Sequence, residues 1–402
     1  MSLGSAQDHF IIKAMHVHMA EALINLGQLA RNIEAARARL GGRCRLLFPV
    51  KADAYGHGAI PLAKRAQELG VDYFGVANLA EAMELRGAGV AKPILIFSAS
   101  RPSHIPQLVE ADVDVTLSSL TFAKSLDQEA RGKRRRVGIQ IKVDTGMGRN
   151  GIWWEEAFQL AKAVAQLSHL ELRGIFSHFS ASYSTEPQDR AFTLGQIESF
   201  TRLLRELQRH DLLPPLRHLA NSSGLVQYEK QVTQDPFNMV RPGILLYGAP
   251  EVQADWTAPV KPILSLRTWV TSVSELPPGR TIGYGRSYQT RSTRRIATLP
   301  IGYADGVSWW LKNSGKVLIG DQFAPMVGGI SMDQLTVDVT DISGVQVDDE
   351  VYLIHERLPA LEIAQGLGAS FSEIVLTALS KRVARVYASS PAPCSMSCSS
   401  IP

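Results

Sequence analysis

The sequence predicts an α/β protein, a (β/α)8 TIM-like barrel followed by a mostly β C-terminal domain. Three observations predict it. Between about residues 21 and 250, segments with helical spacing alternate with short apolar runs that end in Gly, Asn, Asp or His. Those runs are continuously apolar, the pattern of a parallel sheet covered by helices rather than of a half-exposed strand. Beyond the stretch 249–262 the texture changes to short β-branched segments separated by Gly, Pro and Asp, which reads as an all-β domain.

Taken in order, Leu23–Leu40 has helical spacing and CRLLFPVK reads as a barrel strand. Ile60–Leu69 is helix and YFGVAN strand; Leu79–Gly87 is helix and PILIFSA strand; VDVTLSS is a further short strand. VGIQIKVDTG is strand, Trp154–Leu167 helix, LRGIFSHFS strand, Gln196–His210 helix and LRHLANSS strand, and MVRPGILLYG closes the series. About eight such units in roughly 230 residues suit a barrel of this kind. The runs LSLRTWVTSVSEL, RRIATLPIGY, KVLIG, DQFAPMVGGI, QLTVDVT and DEVYLIH follow as strands, and a final helix extends from Glu362–Leu367 through Ser372–Leu379. An early strand at Ala14–Ala22 is assigned to the second domain. The expected boundaries are therefore 1–20 for an N-terminal segment, 21–250 for the barrel, 251–388 for the β-rich domain and 389–402 for a disordered polar tail.

Composition narrows the partners. Lys and Arg number 42 against 38 Asp and Glu, a net charge of +4 that is small for 402 residues. That excess points to neither nucleic acid nor membrane as the main partner. The basic run at 131–136 (RGKRRR) directly precedes VGIQIKV and lacks the interleaved aromatics of a nucleic-acid groove, so it reads as a solvated loop. Cys44 stands alone, and Cys394 and Cys398 lie in PAPCSMSCSS. An odd count without framework spacing implies a reducing compartment, the cytoplasm. The tail holds no His or acid that would complete a metal site. The first twenty residues are broken by titratable side chains and do not form a signal peptide, and no apolar stretch reaches membrane-spanning length.

Barrels of this type carry their chemistry at the C-terminal ends of the strands. Distinctive polar residues stand there. Lys51 follows LLFPV, Asn78 follows YFGVA, and Lys142, Asp144, Met147 and Arg149 follow IQI. His178 follows GIFS, Asn221 and Ser222 follow HLA, and Arg241 follows FNMV. A lysine at the end of a buried strand either snorkels to the rim or has a depressed pKa suited to forming a Schiff base. The flanking YGHG favours chemistry, because its glycines allow close backbone approach and Tyr55 offers a hydroxyl. His178 has no second His or Cys at ligand spacing, so no metal is expected; its ring either fills the core or stacks on a flat cofactor. Ser222 and the turn Arg241-Pro-Gly243-Ile244 offer a hydroxyl and backbone N–H groups, as late barrel strands do for phosphate. A Schiff-base lysine, a stacking ring and a phosphate cradle together suggest pyridoxal 5'-phosphate.

VKADAYGHG, KVDTGMGR, SHFS, ANSS, VRPGILLYG, GYGRSY, LPIGYADG and GGISMDQ resemble, in order and spacing, the motifs of bacterial alanine racemases, over about residues 15 to 388. The resemblance implies that Lys51 binds pyridoxal 5'-phosphate covalently and acts as one base, and that Tyr284, reaching in from the other subunit of a homodimer, is the opposite base. It implies that Tyr55, Ser222, Gly243 and Ile244 hold the cofactor's phosphate, that Asn221 also binds the cofactor, that His178 packs against its ring and that Arg241 faces the ring nitrogen. Arg149 and the backbone N–H of Met332 would hold the substrate carboxylate, Tyr303 would line the access channel, and Lys142 matches a lysine often carbamylated in the family. The implied role is interconversion of L- and D-alanine, supplying D-alanine for peptidoglycan.

The set makes physical sense. Racemisation removes a proton from one face of Cα and returns it on the other, so two bases on opposite faces are the direct solution. One departure stands out: in LSKRVAR, Lys381 takes the place of a family tyrosine and Ala384 that of a proline. This opens a broader or serine-type racemase as an alternative to strict alanine specificity. A decarboxylase on a similar scaffold and a non-catalytic pyridoxal-phosphate carrier are further alternatives; Tyr284 in GYG and Arg241 facing the ring speak against the first, and the second domain, with its Tyr284 and Met332 motifs, against the second.

Overall fold

The computed structural model describes residues 18–42 and 44–389. The expectations for the polar tail, including Cys394 and Cys398, and for most of the N-terminal segment fall outside these residues. The chain forms two compact units. One is Leu29–Val260; the other comprises the described residues of Met1–Gln28 and Lys261–Pro402.

The first strand is β1 (Ala20–Asn25). The barrel is built from β2 (Arg45–Pro49), β3 (Tyr73–Val76), β4 (Ile94–Ile96), β5 (Asp114–Leu117) and β6 (Val137–Asp144). The two-residue β7 (Ile152–Trp153) follows, then β8 (Leu170–Phe176), β9 (Leu216–His218) and β10 (Met239–Val240). Neighbours pair in parallel in the order β5-β4-β3-β2-β10-β9-β8-β6, and a β5–β6 pairing closes the ring of eight strands. The closed ring leaves no edge and its strands are covered on both faces, which explains why they are mainly apolar. Leu47, Tyr73, Leu95, Phe176, Leu216 and Met239 fill its interior. Gly75 makes room there: a Cβ on it would lie 2.2 Å from the Phe97 ring.

Helices Leu26–Arg37, Ala59–Glu68, Leu79–Gly87, Ile105–Glu110, Leu120–Gly132, Ala157–Val164, Pro187–Arg209 and Ser222–Val232 alternate with the strands. Several boundaries correct the sequence reading. Residues 23–25 belong to β1 rather than to the first helix, and 154–156 form a turn before the helix at Ala157. The helix expected from Gln196 begins at Pro187, whose fixed φ suits a first helical turn.

In the second unit, β1 lies antiparallel to Leu264–Trp269 and parallel to Ala384–Ala388, inside a six-stranded sheet. Glu21 of β1 is buried and paired with Arg267 at 2.8 Å, and Arg267 also meets Glu350 at 2.7 Å. A three-stranded sheet joins Ser272–Leu276, Arg294–Leu299 and Leu335–Asp338, and a hairpin joins Thr281–Ile282 to Tyr288–Gln289. The expected final helix is two short ones, Ala360–Gly366 and Glu373–Leu376, with Gly368 at φ +77° between them. Among the described residues no helix is long and apolar enough to cross a membrane.

Candidate active site

Lys51 stands two residues beyond β2, half-buried, at the start of a tight turn. Ala52, Asp53, Ala54 and Tyr55 all adopt φ between 51° and 54°, one turn of left-handed helix. For L-residues this costs roughly 1–2 kcal/mol per residue, so neighbours must hold it. The Glu81 carboxylate accepts from Ala52 N (3.0 Å) and Ala77 N (2.7 Å), and Asp53 accepts from Ala59 N at 2.7 Å. Asn78, noted as a strand-end polar residue, caps the helix that carries Glu81, accepting from Glu81 N at 3.1 Å.

The turn delivers Tyr55 onto Gly243. A Cβ at position 243 would lie 2.7 Å from the Tyr55 hydroxyl, so only glycine lets that hydroxyl settle there. Tyr247 packs under Tyr55 with ring centroids 4.7 Å apart and donates its own hydroxyl to Pro49 O at 2.9 Å. The Lys51 ammonium lies 5.9 Å from the Tyr55 ring centroid. Ser222 is buried at the first turn of Ser222–Val232, where its hydroxyl accepts from Leu245 N at 3.1 Å. Ile244 is buried beside Gly243. Asn221, expected on the cofactor, uses its side-chain oxygen as the helix cap, accepting from Gly224 N and from the Ser182 hydroxyl, both at 2.9 Å. The group therefore joins two hydroxyls, a glycine-only approach and a helix N-terminus, a donor set that fits phosphate.

Deeper in the barrel the charges are positive. Arg241 is buried and donates to Ser177 O (2.6 Å), Leu219 O (3.0 Å), His218 Nδ1 (2.6 Å) and His178 Nδ1 (3.2 Å). Burial pushes its guanidinium down to about 9, so at neutral pH it is still a cation. Burial, then the Arg241, Lys142, Arg149 and Lys51 cations, hold His178 well below the usual imidazole range, and it stays neutral. A neutral flat ring beside a guanidinium suits packing against an aromatic cofactor.

Lys142 is buried in β6, donates to Val143 O at 2.9 Å and lies 5.6 Å from the Phe176 ring centroid. Burial and the Arg241 cation lower it to about 7, against the pull of Asp144. Burial raises Asp144, but the N–H groups of Gly146, Met147 and Gly148, between 2.8 and 3.2 Å away, prevail and hold it low. Asp144 thereby folds the loop that ends in the exposed Arg149.

Tyr284, Met332 and Tyr303 belong to the second unit. Tyr284 follows the Thr281–Ile282 strand between Gly283 (φ +70°) and Gly285 (φ +71°), and a Cβ on Gly283 would strike Gly329 N at 2.6 Å. The side chain projects outward, 79% exposed. Met332 is 51% exposed, and its loop is tied to the Tyr303 loop by Tyr303 N to Ser331 O and Ala304 N to Met332 O, each 3.0 Å. Lys381 is exposed, while its neighbour Arg382 pairs with Asp305 (3.2 Å) and Asp333 (2.6 Å). An apolar cavity of about 740 Å3 in this unit is lined by Tyr303, Trp309, Leu311, Leu353, Ile363 and Leu379, among others. Its charged residues, Lys316 and Glu362, are paired at 2.7 Å, and no reactive group converges on it.

The sequence reading missed His218, Gln140, Glu81 and Tyr247. Gln140 and His218 carried a signal: each is a polar residue inside a run that must be buried, which is informative where an exposed polar residue is not. Glu81 carried none, because it reads as an ordinary surface residue of a helix.

The chain matches the family model described as alanine racemase, N-terminal domain over residues 24–251, and that described as alanine racemase, C-terminal domain over 263–387. An alanine racemase of Clostridium novyi is 38% identical over 380 residues, covering 92% of this chain and 96% of its own. The solved alanine racemase of Clostridium difficile 630 superposes with a TM-score of 0.85 at 31% identity, covering 92% and 96%. That of Bartonella henselae, with covalently bound pyridoxal phosphate, gives 0.80 at 27% identity, covering 92% and 99%. With both domain models matched in order along nearly the whole chain, this protein belongs to the alanine racemase family.

Proposed function

We propose that this protein interconverts L- and D-alanine with pyridoxal 5'-phosphate held in its barrel, using Lys51 and Tyr284 as two bases. The observation that carries the reading is the fit of Tyr55 over Gly243 beside Ser222, a phosphate cradle one turn away from Lys51. The covalently bound cofactor of the Bartonella henselae enzyme supports the same assignment. When bound, the cofactor supplies an electron-withdrawing ring that acidifies the proton on the substrate Cα.

The chain's own groups do the rest. Tyr55, Ser222, Gly243 and Ile244 hold the phosphate, Asn221 sets the helix end that faces it, and His178 lies against the ring. Arg241, a cation that keeps its protons at neutral pH, withholds one from the ring nitrogen and so limits how strongly the ring withdraws electrons. Lys51 removes or returns the Cα proton on one face, and Tyr284 of the partner subunit does so on the other. The exposure of Tyr284 and Met332 within a single chain supports their use across a homodimer. Arg149 and the Met332 N–H hold the substrate carboxylate, and Tyr303 lines the access channel. Lys142 at about 7 has a neutral fraction that adds to CO2. Its nitrogen forms the N–C bond and releases one proton, leaving a carbamate anion to pair with Arg149. The reaction runs in the cytoplasm and supplies D-alanine for peptidoglycan.

The test is to load the protein with pyridoxal 5'-phosphate, record its absorbance, add L-alanine and assay D-alanine. The expected result is a cofactor band and D-alanine, both lost in Lys51→Ala. A band with turnover of serine in place of alanine would move the substrate, with Lys381 the first residue to test. Release of CO2 would show a decarboxylase. A band without any turnover would leave a cofactor carrier, and no uptake of cofactor would refute the site itself.

A further inference from the structure

A buried hydrogen-bond chain leads away from Arg241 into the barrel. Arg241 Nη1 lies 2.6 Å from His218 Nδ1, His218 Nε2 lies 2.7 Å from Gln140 Oε1, and Gln140 Nε2 lies 2.7 Å from Asp114 Oδ2. Asp114 also accepts from the Tyr73 hydroxyl at 3.1 Å and from Arg173 Nη1 at 3.0 Å. His218 and Gln140 are wholly buried and Asp114 nearly so.

Each link can point only one way. A carboxylate only accepts and a guanidinium only donates. Asp114 therefore takes an N–H of the Gln140 amide, which turns the Gln140 carbonyl toward His218. His218 must then donate from Nε2, and its Nδ1 is left to accept. Read from the other end, Arg241 has nothing but donors, so Nδ1 must accept. The two ends agree on one neutral tautomer of His218. Burial, then the Arg241 and Lys142 cations, keep that ring from taking a second proton. Phe176 stacks on it with centroids 5.0 Å apart and planes 3° apart, which fixes the ring plane.

The strands leave space for the chain. A Cβ on Gly174 would come within 2.6 Å of Gln140 Oε1, and one on Gly138 within 2.4 Å of Asp114 Oδ1. A glycine weakens a barrel strand, and here one in β6 and one in β8 admit polar side chains that an apolar core would not need.

We propose that Gln140 and Asp114 are positioning residues for Arg241: through His218 they fix the imidazole in its Nε2–H tautomer and thereby aim the guanidinium at the cofactor ring nitrogen. This rests on the proposed reading of Arg241. Neither residue touches cofactor or substrate; both act through His218.

The test uses the full chain with 15N-labelled histidine, as parent, Gln140→Leu, Asp114→Asn and Gly174→Ala, each with and without pyridoxal 5'-phosphate. Gly174→Ala displaces Gln140 without deleting any polar group and keeps the test alive if a relay deletion fails to fold. In the parent, His218 is expected to show a protonated Nε2 and an unprotonated Nδ1 from mildly acidic to mildly alkaline pH. In the variants Nε2–H loses its fixed acceptor, and a second, Nδ1–H tautomer is expected to the extent that Arg241 turns away from Nδ1, with cofactor affinity by equilibrium dialysis lower by about tenfold, the size of one buried hydrogen bond. kcat should fall more than KM rises. Unchanged His218 signals and cofactor affinity in Gln140→Leu and Gly174→Ala, with only the melting temperature lowered, would overturn the proposal. A parent that takes up no cofactor would overturn the proposed function instead; the tautomer, read without cofactor, would still decide the lock.

Discussion

The Tyr55 hydroxyl occupies the place where a side chain at Gly243 would begin, 2.7 Å from the position of a Cβ there. Tyr55 cannot retreat, because Tyr247 backs it at 4.7 Å and is itself anchored to Pro49. Gly243→Ala should therefore displace Tyr55, lower cofactor affinity by tenfold or more, and destabilise the fold by about 1–3 kcal/mol through overpacking. Equilibrium dialysis and urea unfolding measure the two effects. Parent-like cofactor affinity would exclude this contact from the phosphate cradle.

Tyr284 is exposed, so Tyr284→Phe should leave stability within about 0.5 kcal/mol while lowering kcat by roughly 10²–10⁴, the range of a lost general base. Lys51→Ala should likewise be inactive. Unfolding and refolding an equal mixture of the two variants then distinguishes the arrangements. If Tyr284 serves the partner subunit, half the dimers are mixed and each has one intact site, restoring about a quarter of parent activity. No recovery, with mixed dimers verified by mass, would place both bases in one chain.

Lys142 links stability to pH. Its folded value of about 7 lies below the ordinary 10.5, so between those values the unfolded chain holds a proton that the folded chain lacks. Stability from this group therefore rises with pH across that window, and the penalty is fully present below about pH 7. In CO2-free buffer Lys142→Met should be more stable than the parent near about pH 6, with the difference vanishing toward about pH 10. With 13C-bicarbonate the parent should show one carbamate carbon resonance that Lys142→Met lacks. A pH-independent difference between the two proteins would refute the depressed lysine.

Glu81 braces the left-handed turn after Lys51 through two backbone N–H groups. Glu81→Ala leaves both without their protein acceptor, at about 0.5–1.5 kcal/mol for each partly solvated hydrogen bond, and relaxes the turn that delivers Lys51 and Tyr55. Cofactor affinity should fall even though Glu81 is not a site residue. Glu81→Gln, which keeps one acceptor oxygen, should lie between Ala and the parent. Equal cofactor affinity in all three proteins would show that the turn stands without this brace.

The barrel and its polar strand ends were legible because both are written locally. A strand buried on two faces is apolar along most of its length, and a lysine, histidine or arginine that ends such a run is conspicuous. Lys51, Lys142, His178 and Arg241 were visible on those grounds alone. Helix ends were less legible: Pro187 starts a helix that periodicity placed at Gln196, and residues 23–25 went to a strand because their partners, Ser265 and Leu264 among them, lie some 240 positions away.

By itself the sequence determined the chemistry-bearing residues, the alternation that makes a parallel barrel and the change of texture that begins the second unit, since each depends on neighbours within a few residues. Only the tertiary structure decided what those residues do to one another. The fit of Tyr55 on Gly243, the brace from Glu81 and the chain from Arg241 to Asp114 join positions that are far apart in sequence. The depression of Lys142 and the neutrality of His178 and His218 follow from burial beside Arg241. Burial and proximity exist only once the ring of strands has closed, and for that reason no stretch of the chain could announce them.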